Sequence, residues 1–79
     1  MTITLKYFGQ LAEVFKTSEE TRDLENINVT DLIKEISSDY DLDHIPYQIA
    51  INQKIIDRNE QVNLNDGDTV ALLPPFAGG

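Results

Sequence analysis

The segment Pro74-Pro75-Phe76-Ala77-Gly78-Gly79 at the end of the sequence carries the most distinctive chemistry of the chain. Glycine has no Cβ, so a Gly-Gly segment can lie in a channel too narrow for any other residue. The α-carboxylate of Gly79 would be ionised at neutral pH, and a carboxylate is a poor electrophile until it is activated. We therefore expect Gly79 to be the site of acyl chemistry at the end of a slender stalk.

The rest of the sequence offers no second reactive constellation. The chain has no cysteine, which excludes disulfides, thiolate metal sites and a cysteine nucleophile. His44 is the only histidine, and a lone histidine does not make a metal site. The aspartates at positions 39, 41 and 43 lack the glycine and bidentate glutamate of a calcium loop. We expect no self-contained active site, no metal site and no bound cofactor.

Length and charge limit the possible partners. The 79 residues, 41% of them hydrophobic, are enough for one small domain. The net charge of −8 would repel nucleic acid and anionic membranes, so we expect neither as a partner. The acidity either maintains solubility or attracts a basic protein. No apolar run approaches the roughly 20 residues of a membrane span, and the N-terminal residues do not resemble a signal peptide, so we expect a cytoplasmic protein.

Hydrophobic periodicity places these residues on a small mixed fold. Ile3, Leu5 and Tyr7 alternate on one face of a first strand, and Asn65-Asp66-Gly67-Asp68 is a strong turn signal. In the second helix Thr30 is the candidate N-cap. The buried stripe of that helix is predicted to be Leu32, Ile33, Ile36 and Tyr40. The predicted elements are a strand over 3–8, a short helix over 10–16, an edge strand over 18–25, a longer helix from 29, strands over 48–52 and 54–57, and a last strand over 69–73.

This order of elements predicts an α+β fold in which one mixed sheet packs against the longer helix. Pro74 and Pro75 end the last strand because neither can donate to a sheet ladder. We expect a single domain over residues 1–79 with a flexible tail over 76–79. Extended, the segment from Pro75 to Gly79 reaches roughly 16–18 Å, enough to enter a pocket in another protein.

Three segments together resemble a known family. The terminal segment over 74–79, the run Asp66-Gly67-Asp68-Thr69-Val70 and the run Tyr7-Phe8-Gly9-Gln10-Leu11 look like the small subunit of molybdopterin synthase. That family consists of ubiquitin-like, β-grasp sulfur carriers, and the resemblance spans nearly the whole chain.

The resemblance implies a function for the tail. An activating enzyme would use ATP to adenylate Gly79, and sulfur from a donor system would replace AMP to give a thiocarboxylate. Pro75, Phe76, Ala77 and Gly78 would lie in a channel of the large synthase subunit, within a heterotetramer. That subunit would carry the catalytic residues and build the dithiolene of molybdopterin on cyclic pyranopterin monophosphate. This chain would then be a non-catalytic sulfur donor.

Strand parity predicts the surface that meets the partner. Phe8 must point away from Ile3, Leu5 and Tyr7. We assign Val70 and Leu72 inward, which leaves Leu73 outward beside the tail. Ile55 and Ile56 cannot both face the core of a regular strand, and the resemblance favours Ile55 as the exposed residue. The predicted partner interface comprises Phe8, Ile55, Leu73 and Pro74.

Three alternatives remain open at this point. The thiamine-pathway sulfur carrier also ends in Gly-Gly, but it is usually shorter and lacks the Pro-Pro-aromatic approach. A ubiquitin-like modifier would be joined to lysines through the same carboxylate, although the few lysines here argue mildly against chain-forming conjugation. The third alternative is a plain interaction domain whose tail has no chemical role.

Overall fold

The seven elements of the chain occur in the predicted order. A computed structural model describes residues 1–38, 40, 42, 45–57 and 60–75. Within these residues the elements are β1 (Thr2–Tyr7), α1 (Gln10–Phe15), β2 (Glu19–Asp23), α2 (Val29–Ile36), β3 (Gln48–Ile51), β4 (Lys54–Ile56) and β5 (Thr69–Leu73).

The strands form one mixed sheet in the order β2-β1-β5-β3-β4. The central strands β1 and β5 are parallel, whereas the other neighbouring pairs are antiparallel. Because β1 and β5 run in parallel, their C-terminal ends lie side by side at one end of the strands. This is the mixed sheet that the order of elements predicted and the β-grasp fold that the family resemblance implied, and β2 is an edge strand as predicted.

The core lies between one face of the sheet and the helices. Ile3, Leu5 and Tyr7 of β1 are buried, as strand alternation predicted. Val70 and Leu72 of β5 are fully buried on the same side, which confirms their inward assignment. Helix α2 contributes Val29, Leu32 and Ile36, whose spacing puts them on one helix face.

The N-cap of α2 differs from the prediction. The cap is Asn28, whose side-chain oxygen accepts a hydrogen bond from the backbone N–H of Asp31 at 2.8 Å. Thr30 is already inside the helix and does not cap it. Asn28 is extended and forms a β-bridge with Asn63, so the chain enters the helix earlier than an N-cap at Thr30 would require.

The buried stripe of α2 is also corrected. The helix ends at Ile36, and the backbone N–H of Ser37 closes it on the carbonyl oxygen of Ile33 at 3.0 Å. Tyr40 therefore lies outside the helix and is exposed, with its ring against that of Phe15 at a centroid distance of 4.7 Å. Ile33 is only half-buried, and Val29, which the predicted stripe left out, is buried in the core.

The predicted turns are present. Asn52 and Gln53 connect β3 to β4 with φ values of 50° and 73°, the left-handed pair that a tight hairpin needs. The turn over 65–68 is closed by a hydrogen bond from the N–H of Asp68 to the oxygen of Asn65 at 3.0 Å, and it places Gly67 at φ 87°. The Asn52-Gln53 turn sets the register of β3 against β4, and the turn over 65–68 leads directly into β5.

Candidate functional site

The face of the sheet opposite the helices carries a transverse row of residues across four strands. Lys6 pairs with Ala71, Ala71 with Ala50, and Ala50 with Ile55. Residues paired across a ladder point to the same side. Since the neighbours Leu5, Val70 and Ile49 belong to the core, the row points away from it.

A shallow apolar depression lies on this outer face. Its volume is about 580 Å³. Phe8 and Ile55 are 43% and 46% exposed and line the depression together with the half-buried Leu73, while Ala50 and Ala71 provide small side chains between them. We call these five residues the outer-face patch. The remaining lining residues are Lys6, Asn52, Gln53 and Thr69.

Three of the four residues predicted to form the interface thus lie on the outer face of the sheet. Phe8, Ile55 and Leu73 line the same depression. Val70 and Leu72, the residues of β5 that were assigned to the core, are buried. Pro74 and Pro75 are exposed directly after β5. The role of these residues in contacting a partner stays a prediction.

Several predictions fall on parts of the chain that the structure does not describe. The tail residues Phe76, Ala77, Gly78 and Gly79 lie outside the described residues, and so does the predicted flexibility of 76–79. His44 and the aspartates at 39, 41 and 43 also lie outside them. The chemistry assigned to Gly79 therefore rests on sequence.

Sequence reasoning missed the two alanines of the outer-face patch. Ala50 lies between Ile49 and Ile51, and Ala71 lies between Val70 and Leu72, so both alternate with large residues. That alternation could have indicated a sheet face with a depression at its centre, because a methyl side chain leaves space that a larger branched side chain would fill. The pairing of Ala50 with Ala71 brings both small residues together.

The outer-face patch borders a weak ion pair. The Nζ atom of Lys6 lies 3.7 Å from a carboxylate oxygen of Glu19, and both side chains are about half exposed. Exposed pairs of this kind add little to stability. Lys6 is therefore available to form a new ion pair with an acidic group of a partner.

The inner side of the sheet holds a buried phenol near β2. The hydroxyl of Tyr7 is buried and has no hydrogen-bond partner among the residues that the structure describes. Burial, followed by the nearby Glu20 carboxylate, raises the pKa of Tyr7 well above its ordinary value. Glu20 instead accepts a hydrogen bond from Nε of Arg22 at 2.7 Å, which raises the pKa of Arg22. This group lies on the core side and so takes no part in the outer-face patch.

Two further kinds of site are absent from the parts of the chain that the structure describes. Among those residues, no three histidine, aspartate or glutamate side chains gather where they could hold a metal ion. No helix within the described ranges has the length and apolar character needed to cross a membrane.

Comparison with known proteins places the chain within one family of sequences. Residues 5–79 match the ThiS family. The molybdopterin synthase sulfur carrier subunit of Chlamydomonas reinhardtii is 32% identical over 83 residues, an alignment that covers 100% of both chains.

Solved structures share the fold. The putative molybdopterin converting factor subunit 1 of Pyrococcus furiosus superposes with a TM-score of 0.79 at 27% identity, over 96% of this chain and 99% of the other. A chain of the complex of subunits 1 and 2 of the Helicobacter pylori molybdopterin-converting factor gives a TM-score of 0.66 at 26% identity, over 100% of both chains. Small archaeal modifier protein 1 of Methanosarcina acetivorans gives 0.76 at 25% identity, over 99% and 96%.

Proposed function

The chain belongs to the ThiS family, and from that premise we propose that it is the sulfur-carrier subunit of a molybdopterin synthase. The observation that carries the proposal is the alignment over the whole of both chains with the Chlamydomonas reinhardtii carrier subunit at 32% identity. The outer-face patch supports it, because a carrier without its own active site needs a surface for docking on enzymes.

The proposed chemistry begins at Gly79. Its carboxylate oxygen attacks the α-phosphorus of ATP in the site of an activating enzyme and releases pyrophosphate. The product is a mixed anhydride with AMP, which makes the carbonyl carbon a good electrophile. A sulfide-level sulfur nucleophile then forms a C–S bond, AMP leaves with the C–O bond electrons, and Gly79 carries a thiocarboxylate. The absence of cysteine from the chain agrees with this route, since the sulfur is held by the chain end.

Delivery of the sulfur needs a second protein. In the proposal, the tail residues Pro75, Phe76, Ala77 and Gly78 enter a channel of the large synthase subunit, and Gly79 reaches its active site. There the thiocarboxylate sulfur forms a C–S bond to cyclic pyranopterin monophosphate in place of a C–O bond of that substrate. Water then cleaves the resulting thioester, so that the sulfur stays on the substrate and Gly79 returns as a carboxylate. The Helicobacter pylori complex joins subunits 1 and 2 of its converting factor, which supports a large-subunit partner and, by extension, a heterotetramer. Cytoplasmic location stays a prediction.

The outer-face patch is the proposed docking surface for the large subunit. Phe8, Ile55 and Leu73 present exposed apolar area close to the end of β5, where the tail begins. Exposed apolar groups that cluster on one face are typical of protein interfaces. Pro74 continues from Leu73 at the border of this surface.

The first stage is tested by intact-mass spectrometry. The chain is incubated with the activating enzyme of the same organism, ATP and sulfide, and we expect a fraction in which one sulfur replaces one oxygen. Omission of ATP and deletion of Gly79 are the controls, and both should abolish the mass change. A chain whose mass stays unchanged in the complete reaction would disprove the proposal.

A second candidate is supported by the likeness to small archaeal modifier protein 1. A modifier would use the same adenylate but pass its acyl group to a lysine amine, forming an isopeptide bond and releasing AMP. Tryptic peptide mapping after incubation with cell extract, ATP and activating enzyme would detect a branched remnant on lysine, consisting of residues 59–79, because Arg58 is the last tryptic site before Gly79. We expect sulfuration without such a remnant.

The thiamine-pathway carrier shares the chemistry at Gly79 and differs only in the acceptor. The two assignments are distinguished by incubating the sulfurated chain with the large synthase subunit and cyclic pyranopterin monophosphate. Loss of the sulfur in that reaction supports the molybdopterin assignment, and retention contradicts it.

A further inference from the structure

We infer that Gly9 is a positioning residue for the tail: its missing side chain lets the Pro74 ring lie against the connection between β1 and α1, and this contact sets the direction in which the chain leaves β5. The inference rests on the proposed function, since the direction of the tail matters only when the tail is delivered to a partner.

The contact between Gly9 and Pro74 is close. A Cβ placed on Gly9 would lie 3.3 Å from Cγ, 3.7 Å from Cδ and 3.9 Å from Cβ of Pro74. Its three nearest heavy atoms therefore belong to one proline ring. A side chain at position 9 would need that ring to move.

The backbone of Gly9 has a conformation that few other residues adopt. Its φ of 59° and ψ of −132° lie in a region that glycine visits at little cost and residues with a Cβ do not. This conformation turns the chain sharply from β1 into α1. The glycine is thus required by its backbone and, independently, by the space that Pro74 occupies.

The connection that meets Pro74 is fixed at both ends. The N–H of Phe8 donates to the carbonyl oxygen of Leu72 at 3.1 Å, which ties the connection to β5. The N–H of Ala12 donates to the oxygen of Gly9 at 3.1 Å, which ties it to the first turn of α1. Pro74 therefore rests on a surface anchored in both the sheet and a helix.

This anchoring relates the tail to the outer-face patch. Phe8, which lines the patch, directly precedes Gly9, and Leu73, which also lines it, directly precedes Pro74. A proline ring fixes its own φ, so the contact with Gly9 limits the orientation of Pro74 relative to both patch residues. When the patch docks, the tail then starts toward the channel in a defined direction.

The test compares two glycines that share a positive φ but differ in their surroundings. Gly67 has φ 87° and nothing within 4 Å of an added Cβ, whereas Gly9 has φ 59° and the Pro74 ring. Gly67→Ala therefore introduces backbone strain alone, and Gly9→Ala introduces strain plus a collision with the root of the tail. Both variants are sulfurated chemically or enzymatically and offered to the large subunit with cyclic pyranopterin monophosphate.

We expect Gly9→Ala to lower kcat for sulfur transfer by about tenfold to a hundredfold, because a reactive group misplaced by roughly 1 Å costs that much. KM should stay within about twofold of the wild type, since the docking patch is unaltered. Gly67→Ala should leave both constants near wild type. A wild-type kcat for Gly9→Ala, or an equal loss for Gly67→Ala, overturns the inference.

A double variant separates the collision from general damage to the fold. Pro74→Ala removes the Cγ and Cδ atoms that the methyl group introduced by Gly9→Ala would meet, so the kcat of the double variant should rise to that of Pro74→Ala alone. A double variant slower than Pro74→Ala overturns the inference. Should Gly9→Ala fail to fold, Pro74→Ala decides: a lower kcat with little change in KM supports positioning, and an unchanged kcat overturns it. Failure of the wild type to be sulfurated counts against the proposed function instead.

Discussion

Tyr7 and Phe8 are consecutive in the chain, but Tyr7 is 1% exposed on the core side of the sheet and Phe8 is 43% exposed on the other. One strand end thereby supplies both the interior and the docking surface. Mutations at these two positions should consequently separate stability from binding.

Phe8→Asp should weaken binding to the large synthase subunit by about tenfold or more, because burial of a phenylalanine side chain contributes ~1.5–3 kcal/mol. The thermal midpoint should change little. Isothermal titration and thermal unfolding measure the two effects. Thr21→Asp is the matched control, since Thr21 is exposed on the same face through its pairing with Thr4 but belongs to β2, at the sheet edge. If Phe8→Asp instead unfolds the protein and the remaining folded fraction binds normally, Phe8 contributes to the core and not to the docking surface.

Gly78→Val should fold normally and react poorly. A branched side chain would obstruct a channel shaped for glycine. The fold should not change, because position 78 comes after β5 in the chain. The rate at which the sulfurated variant transfers its sulfur in the large synthase subunit, followed by intact mass, measures the effect, and circular dichroism checks the fold. Gly78→Ala provides a graded comparison and should react at an intermediate rate. A full rate for Gly78→Val would exclude a narrow channel.

Asn28→Ala should lower the free energy of unfolding by about 0.5–2 kcal/mol, because the hydrogen bond to the N–H of Asp31 is lost. Thr30→Ala, inside the same helix end, should change it by less than about 0.5 kcal/mol. Urea unfolding of both variants measures the difference. Equal losses at the two positions would contradict the assignment of Asn28 as the cap.

Alkaline pH should destabilise the protein through Tyr7. The folded state raises the pKa of Tyr7 mainly by burial, so between the unfolded and folded pKa values the folded chain holds more protons. The free energy of unfolding therefore falls as the pH rises above about 10, the ordinary tyrosine value. Tyr7→Phe should flatten this part of the pH profile and leave stability near neutral pH almost unchanged. If the free energy of unfolding falls equally steeply above about pH 10 in the wild type and in Tyr7→Phe, groups other than Tyr7 cause the alkaline destabilisation.

The sequence was sufficient for the faces of the central strands. The side-chain period of a strand is two, so the burial of Leu5 and Tyr7 and the exposure of Phe8 follow from parity once the strand is located. The same rule predicted the inward Val70 and Leu72. Gly67 in the turn before β5 was predictable because few residues tolerate its positive φ.

The features that the sequence did not reveal depend on distant contacts. Asn28 becomes the cap of α2 because its backbone is held extended by a bridge to Asn63, a partner that local sequence does not identify. The contact of Gly9 with Pro74 arises only when β1 and β5 pair in parallel. Periodicity predicts that both strands exist but not that they are neighbours.

The parallel neighbours β1 and β5 also determine the order in which the molecule can be assembled. A growing polypeptide makes β1 first and has no partner for its inner edge until residues 69–73 have been made. Pairing segments so far apart carries a loop-closure cost and slows folding. A chain interrupted before residue 69 lacks a central strand and cannot build the sheet, so such a translation product lacks the docking face as well as the tail. Only chains long enough to contain β5 can therefore form the outer-face patch and bind the enzymes that recognise it.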